Sequence, residues 1–494
     1  MDIIESMYDP QFFRRAGHRL VDQLADYLSA ARKGEMPVHP APAPDALAGH
    51  YQQPLPVEPA SDAEKCLSQR VQELAEQGIH LHHPGYIGHQ VGAPVPAASL
   101  AELVAGVFNQ SMAVYEMSPS ATHIEHQTAR WLCELIGWGK QSDGVFTSGG
   151  SLGNLTALLV ARNHSTGGAA WEQGTCSASP LAMLVSEHAQ YSVSRSAGIL
   201  GLGQANVLRV PVDRHFRMDM AALAACFGAA EKQGKKVTAV VASAGTTATG
   251  AFDPLSDIGE FCRARGVWFH VDGAHGASVL LSPKYKELAA GIELADSVVW
   301  DAHKMLFMPG LATALLFRQG SHGYDAFTQE ATYLFGRHAF PDHDLGLRTI
   351  ECTRPMQAWK LWLAFHLYGA RGLGELVAQK IDLAHGFAAL IKSQPDFELL
   401  SEPMCNILCF RHIPSGAPRG SLSVMQLNEH QAKVRRRVLA SGQFFLVQTQ
   451  IGEAVYLRCA LMNANTTRRD LERLLKVIRE CADDSSSKEI ELGP

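Results

Sequence analysis

Two side chains invite chemistry by type and position: Asp272, in His270-Val271-Asp272-Gly273-Ala274, and Lys304, 32 residues later in Trp300-Asp301-Ala302-His303-Lys304. Each closes an apolar, β-branched run. A carboxylate or an amine at the end of a buried strand is costly unless something of opposite charge faces it. A third stretch, Thr147-Ser148-Gly149-Gly150-Ser151-Leu152-Gly153-Asn154, is a Gly/Ser turn opening a helical pattern. Small residues let backbone N–H groups approach an anion, and the helix N-terminus adds its dipole. Taken singly, each has an ordinary alternative, a plain turn or a surface charge just beyond a strand. The turn is not a Walker loop, having no Gly-Lys-Ser/Thr, and it lacks the dinucleotide fingerprint. Together, an anion cradle, a carboxylate and an amine suit pyridoxal phosphate. The amine forms a Schiff base with the aldehyde, the carboxylate keeps the pyridine nitrogen protonated so that the ring accepts electrons, and the turn holds the phosphate. No metal is called for.

The elements that must position these groups alternate along the middle of the chain. Val145–Ser148, Ala182–Ser186, Val207–Val212, Val237–Ser243, Val267–Asp272, Ser297–Trp300 and Ala312–Phe317 read as strands, with helical stretches such as Gly153–Arg162 and Pro254–Arg265 between several of them. That alternation predicts an α/β fold with a mostly parallel sheet flanked by helices. Such sheets bind ligands at the carboxyl ends of their strands. Upstream, Asp9–Arg32 reads as an amphipathic helix with Asp9 at the N-cap and Phe13, Ala16, Leu20, Leu24 and Leu28 at helical spacing. Its apolar stripe calls for a surface to pack on, such as a partner subunit. Seven prolines in residues 34–60 mark a connector. Beyond Asp344, helices at Pro355–Tyr368 and Leu373–Ser393, strands near Asn406–Arg411 and Val455–Leu461, and a closing helix Arg468–Ala482 make a smaller α+β domain. The expected organisation is an N-terminal helical segment and connector over 1–75, a large cofactor-binding domain over 76–345, a small C-terminal domain over 346–482 and a disordered polar tail over 483–494.

Composition sets the class. With 494 residues, 46% hydrophobic and 19% charged, the chain has a globular profile. Its net charge of −6 argues against a sequence-independent grip on nucleic acid, and Arg435–Arg437 reads as a solvated helix face. No apolar run approaches the ~20 residues that span a bilayer. Asp2, Glu5 and Asp9 precede the first arginine, so no presequence is expected. Ten scattered cysteines without a Cys-x-x-Cys pair imply neither a disulfide framework nor a zinc ribbon. A cytoplasmic protein with no membrane and no nucleic-acid partner is the expectation. The cluster His80, His82, His83 and His89 lacks the carboxylate spacing of a metal site.

The stretches GVFTSGGSLGNLTALLVAR, SEHAQYSVSRSAGILGLG, SAGTTATGAFDPL, WFHVDGAHGAS, SVVWDAHKM, ATYLF and YLRCALMNANTT run in order from about His83 to Ala482. In these the chain resembles the group II pyridoxal-phosphate-dependent amino-acid decarboxylases, relatives of the glutamate, aromatic-amino-acid, cysteine-sulfinate and diaminobutyrate enzymes. The resemblance implies PLP-dependent transferase fold type I with a seven-stranded sheet, pyridoxal 5'-phosphate as cofactor, and a homodimer with shared active sites. It implies Lys304 as the Schiff-base lysine, His303 as its phosphate-side neighbour, Asp272 as the partner of the pyridine nitrogen and Ala274 against the ring. Gly150, Ser151 and Thr247 fall on cofactor-contacting positions. Arg458 matches the arginine that holds a substrate carboxylate in glutamate decarboxylases, and His89 falls where those enzymes read the side chain with a glutamine.

Three departures bear on mechanism. Gln190 stands where the family stacks a histidine on the cofactor, with His188 two residues earlier. Asp301-Ala302-His303-Lys304 replaces the usual Asn-Pro-His-Lys, which puts a carboxylate near the phosphate unless Asp301 turns away or is protonated. The loop Gly336–Asp344 has no tyrosine to reprotonate the substrate carbon; Phe340 or His338 lies nearest its place, and His338 and His343 are the candidate donors. The expected activity is α-decarboxylation of a small polar or acidic L-amino acid to its amine. A decarboxylating, oxygen-using aldehyde synthase is the alternative, motivated by Gln190 and the tyrosine-free loop. An aromatic-amino-acid decarboxylase and a non-catalytic cofactor-binding homologue come behind both.

Overall fold

The computed structural model describes residues 3–40, 44–175, 179–327, 342–414 and 421–483. Seven strands form one sheet: β1 (Asp143–Thr147), β2 (Leu181–Ser186), β3 (Val207–Val210), β4 (Lys236–Ser243), β5 (Trp268–Asp272), β6 (Ser297–Asp301) and β7 (Thr313–Phe317). Their spatial order is β1-β7-β6-β5-β4-β2-β3. Only β7 runs antiparallel to its neighbours within this sheet. β2, β5, β6 and β7 are buried along their whole lengths, as a sheet covered on both faces requires. The mostly parallel seven-stranded sheet expected from the sequence is the one observed. The helix Gly150–Ser165 follows β1 and lies over the sheet. A Cβ on Gly153 would stand 3.0 Å from Val299 and 3.3 Å from Thr313, so the absent side chain is what lets this helix approach β6 and β7.

The chain groups into two compact units. One is Gln90–His385 with Ser401–Leu408, and it carries the seven-stranded sheet. The other joins Met1–His89, Gly386–Leu400 and Cys409–Pro494. Within the latter the helix Pro10–Lys33 begins at Asp9, whose carboxylate accepts the N–H groups of Gln11 and Phe12 at 2.9 and 3.0 Å, and it closes on Gly34 at φ 70°. Ala16 and Ala31 are its buried residues, while Phe13, Val21 and Leu24 are exposed. A second sheet has the order β10-β11-β9-β8, with β8 (Phe397–Leu399), β9 (Ile407–His412), β10 (Val447–Ile451) and β11 (Ala454–Ala460). β9 and β11 are the strands expected there; β8 has three residues, and β10 is a polar edge strand whose side chains are buried only in part. The helix Ala358–Lys392 is broken at Gly369 (φ 67°), giving the two helical stretches read in the sequence. No helix among the described residues is long and apolar enough to cross a membrane.

Three buried histidines make the fold acid-sensitive. His83 Nδ1 accepts the Gly85 N–H at 2.9 Å and burial pushes the ring down to about 4. His412 Nδ1 lies 2.9 Å from His430 Nε2, and burial, with His430 beside it, also takes it to about 4. His270 is fully buried and held down to about 3. Each stays neutral when folded and gains a proton when unfolded below about 6.5, so its stabilising contribution is complete above that pH and is lost as pH falls. Asp253, pushed up to about 6 by burial, acts oppositely, holding a proton in the folded state that the unfolded chain has released. Among these four groups, three protons against one leave a net of two, which alone contributes about 2.7 kcal/mol of stability lost per pH unit near pH 5. Denaturant midpoints at pH 7, 6 and 5 are expected to fall steeply over the last step. A flat series would show that these rings are hydrated.

Candidate active site

Strand alternation puts Trp268, His270 and Asp272 on one face of β5. Asp272 is 9% exposed; its Oδ2 accepts from Asn154 Nδ2 at 3.0 Å and its Oδ1 from the Ala274 N–H at 3.2 Å. Burial raises its pKa above the ordinary carboxylate value, against the pull of the Lys304 charge and the Asn154 amide, and Asp301 adds to the rise. A carboxylate in this condition needs a cation opposite it.

β6 ends in Asp301, almost fully buried. Its Oδ1 accepts from Thr313 Oγ1 at 2.6 Å, and its Oδ2 lies 3.1 Å from Lys304 Nζ and 3.6 Å from His303 Nε2. The carboxylate that replaces the family's asparagine therefore serves as counter-ion to the lysine. It also borders the glycine-rich turn: a Cβ on Gly150 would come within 3.1 Å of both Asp301 oxygens. Gly149 turns the chain at φ 101°, a conformation costly for any side chain. The first N–H groups of the Gly150–Ser165 helix, those of Gly150 and Ser151, have no partner within the helix and suit an anion.

Six expected residues are thus linked by direct contacts or close approach: Gly150, Asp272, Ala274, Asp301, His303 and Lys304. Ala274 connects two of them, its N–H on Asp272 and its carbonyl accepting the Asp301 N–H at 3.2 Å. Ser151 is exposed in the first turn of its helix, and Thr247 is exposed in the turn after β4. Gln190 caps the helix Tyr191–Ile199, its side-chain oxygen accepting the Ser192 N–H at 2.7 Å. Ser192 Oγ in turn accepts from Asn154 Nδ2 at 3.0 Å. His188 is half-buried against Phe216, and burial lowers its pKa.

His89 and Arg458 belong to the other compact unit. Arg458, on β11, is 5% exposed and its Nη1 reaches the Gly88 carbonyl at 3.4 Å. Burial, with the charges of Arg458 and Arg435, lowers the His89 pKa. His338 and Phe340 lie outside the described residues. His343 packs among Tyr115, His123 and His126.

Three residues near the site carry no reading in the sequence. Asn154 and His270 each had a local signal, one helical turn after Gly150 and two strand positions before Asp272. Glu351 had none: its carboxylate accepts from the Ser148 N–H at 3.2 Å and from the Ser148 hydroxyl across 203 residues of sequence.

An amine, a buried carboxylate and an anion-receptive helix start form a donor set that fits pyridoxal phosphate. Residues 50–413 match the pyridoxal-dependent decarboxylase conserved domain. The acidic amino acid decarboxylase GADL1 of Bos taurus is 32% identical over 432 residues, 86% of this chain and 82% of that protein. The aspartate 1-decarboxylase of Aliivibrio fischeri is 32% identical over 461 residues, 85% of this chain and 82% of its own. The crystal structure of mouse CSAD in apo form matches with a TM-score of 0.90 at 27% identity, over 96% of this chain and 100% of that one. The agreement extends from the strand ends to most of the sequence, and the chain belongs to the pyridoxal-phosphate-dependent amino-acid decarboxylases.

Proposed function

We propose that this decarboxylase acts on a small acidic or polar L-amino acid, releasing its α-carboxyl group as carbon dioxide and leaving the amine. The observation that carries the substrate class is Arg458, a buried guanidinium whose charge helps lower the pKa of His89. A guanidinium presents paired N–H donors to a carboxylate and discriminates against apolar side chains. The relatives named for acidic amino acids and for aspartate support the same class.

Bound to the enzyme, the cofactor supplies an electron-accepting ring that makes loss of the carboxyl group possible. The chain's own residues divide the remaining work. Lys304 would hold the cofactor covalently, Asp272 would keep a proton on its ring nitrogen, and Ala274 would lie against the ring. Gly150, Ser151 and His303 would hold the phosphate end and Thr247 would contact the cofactor, with Asp301 balancing Lys304 and Gln190 on the ring side. Arg458 and His89 receive the substrate's side chain. To His338 we assign the return of a proton to the substrate carbon, and to Phe340 a part in substrate binding. The exposed stripe of Phe13, Val21 and Leu24 is covered by a second subunit in a homodimer.

Purified enzyme with pyridoxal phosphate should be offered glutamate, aspartate, cysteine sulfinate, diaminobutyrate, ornithine and the aromatic amino acids, with products identified by mass spectrometry. Turnover of the acids is expected to lead. Arg458→Met should raise the KM for the best acid by roughly 10²-fold, with kcat changed far less, as loss of a charged hydrogen bond predicts. Preference for an aromatic substrate, or an unchanged KM in Arg458→Met, would refute the assignment. The Gln190 position and the tyrosine-free loop favour a second reading, oxygen-dependent aldehyde formation. Hydrogen peroxide and aldehyde appearing with carbon dioxide would establish it in place of amine release.

A further inference from the structure

We infer that His270 is a positioning residue for Asp272, acting through Asn154 within a buried hydrogen-bond chain that starts at Trp268. The inference rests on the reading of Asp272 as the partner of the cofactor's ring nitrogen. Trp268 Nε1 donates to Ser297 Oγ at 2.9 Å, and Ser297 Oγ lies 2.8 Å from His270 Nδ1. His270 Nε2 lies 3.0 Å from Asn154 Oδ1, and Asn154 Nδ2 donates to Asp272 Oδ2 at 3.0 Å. Trp268, Ser297, His270 and Asn154 are each at most 4% exposed.

The direction of every bond follows from what each group can do. An indole N–H only donates. The Asp272 carboxylate accepts, so the Asn154 amide nitrogen faces it and Asn154 Oδ1 faces His270 Nε2. Nε2 therefore carries the imidazole proton, which leaves Nδ1 to accept from Ser297 Oγ. Ser297 Oγ, accepting from Trp268, still has its own proton for that bond.

The construction depends on register. His270 and Ser297 are paired residues of β5 and β6, and Trp268 and His270 share a face of β5. The Trp268 ring is wedged between His164 and His322, with centroids at 5.3 and 5.2 Å, so the start of the chain is fixed by packing. Without a donor at position 270, the Asn154 oxygen loses its partner and the amide is held from its nitrogen end alone. If it turned, its oxygen would face a carboxylate. The Ser192 contact to Asn154 Nδ2 opposes that turn only in part.

Stability alone does not call for this arrangement. Replacing both members of a buried polar pair by apolar groups of similar shape costs little, but removing one member leaves the other unsatisfied. A merely structural His270 therefore predicts only a loss of stability, whereas a positioning His270 also predicts a changed cofactor affinity and band. The test uses full-length His270→Leu, His270→Gln, Ser297→Ala and Asp272→Asn enzymes. Pyridoxal phosphate affinity is read by spectrophotometric titration, the visible band of the bound cofactor by absorbance, and the fold by thermal melting without cofactor.

Beyond a modest fall in cofactor-free melting from the unpartnered Ser297 hydroxyl and Asn154 oxygen, His270→Leu is expected to bind pyridoxal phosphate about tenfold more weakly and to shift the visible band toward that of Asp272→Asn. His270→Gln, which restores an N–H donor, should recover both. Should His270→Leu fail to fold, Ser297→Ala carries the test, with a change in the same direction of about threefold. Wild-type affinity and spectrum in His270→Leu, or in Ser297→Ala where it stands in, would overturn the inference while Asp272→Asn remains altered. A His270→Gln protein as impaired as His270→Leu would overturn it too. A wild-type spectrum in Asp272→Asn would instead remove the reading of Asp272, and this inference with it.

Discussion

Asp272→Asn is expected to slow carbon dioxide release by roughly 10²–10³-fold at saturating pyridoxal phosphate, while leaving the cofactor-free protein no less stable. The two halves share one cause. Burial already pushes the Asp272 carboxyl toward its neutral form, so the folded chain is charged for keeping the anion there. An amide of the same shape removes that charge but offers one acceptor oxygen, for Ala274 N–H or for Asn154 Nδ2, so the lost contact offsets part of the gain from removing the charge. What it cannot do is stabilise a positive ring nitrogen. An opposite charge in contact shifts a titrating partner by about 1–3 units, and each unit is worth about 1.4 kcal/mol. Losing two to three of them gives about 2.7–4.1 kcal/mol, which is the expected range. Single-turnover release of carbon dioxide, alongside a cofactor titration and a melting curve, would check both halves. A rate within threefold of wild type would mean that the proton on the ring nitrogen is held by another group.

Much of this site was legible because its parts sit at chain positions with strong local signatures. Asp272 and Lys304 stand at the ends of fully buried strands, where a charge contradicts its surroundings and so draws notice. Gly149 and Gly150 mark the turn that opens a helix. The seven strands of the main sheet were readable from β-branched runs. The short β8 and the polar β10 were not, because three residues, or a strand reading Val-Gln-Thr-Gln-Ile, carry too little apolar pattern. The role of Asp301 could be posed but not answered from sequence. Whether its carboxylate opposes an anion or balances Lys304 depends on a rotamer fixed by Thr313, twelve residues on in the antiparallel neighbour. Glu351 was beyond reach for a plainer reason: its bond to Ser148 joins segments 203 residues apart.

The same distant segment sets the second large effect. Glu125 and Arg354 are both fully buried: Arg354 Nη1 donates to Glu125 Oε2 at 2.7 Å, Nη2 contacts Oε1, and Oε1 also accepts the Phe146 N–H at 2.9 Å. This pair joins the helix Pro119–Ile136, strand β1 and the stretch that places Glu351 and Gln357 on Ser148. Arg354→Met strands a carboxylate where water cannot reach it, and Glu125→Leu does the same to a guanidinium. Either is expected to lower stability by about 3–5 kcal/mol, read as a fall in denaturant midpoint. Removing both charges leaves neither stranded, so Glu125→Leu/Arg354→Met should be more stable than either single variant. Additive losses in the double variant would show that the cost lay in lost packing and not in an uncompensated charge. The pair's link to the active site gives a further reading of the same proteins. Once Arg354 no longer pins its segment, Glu351 and Gln357 lose their fixed approach to Ser148. The double variant should then recover stability while still binding pyridoxal phosphate more weakly than wild type, because restored stability does not restore the position of the glycine-rich turn.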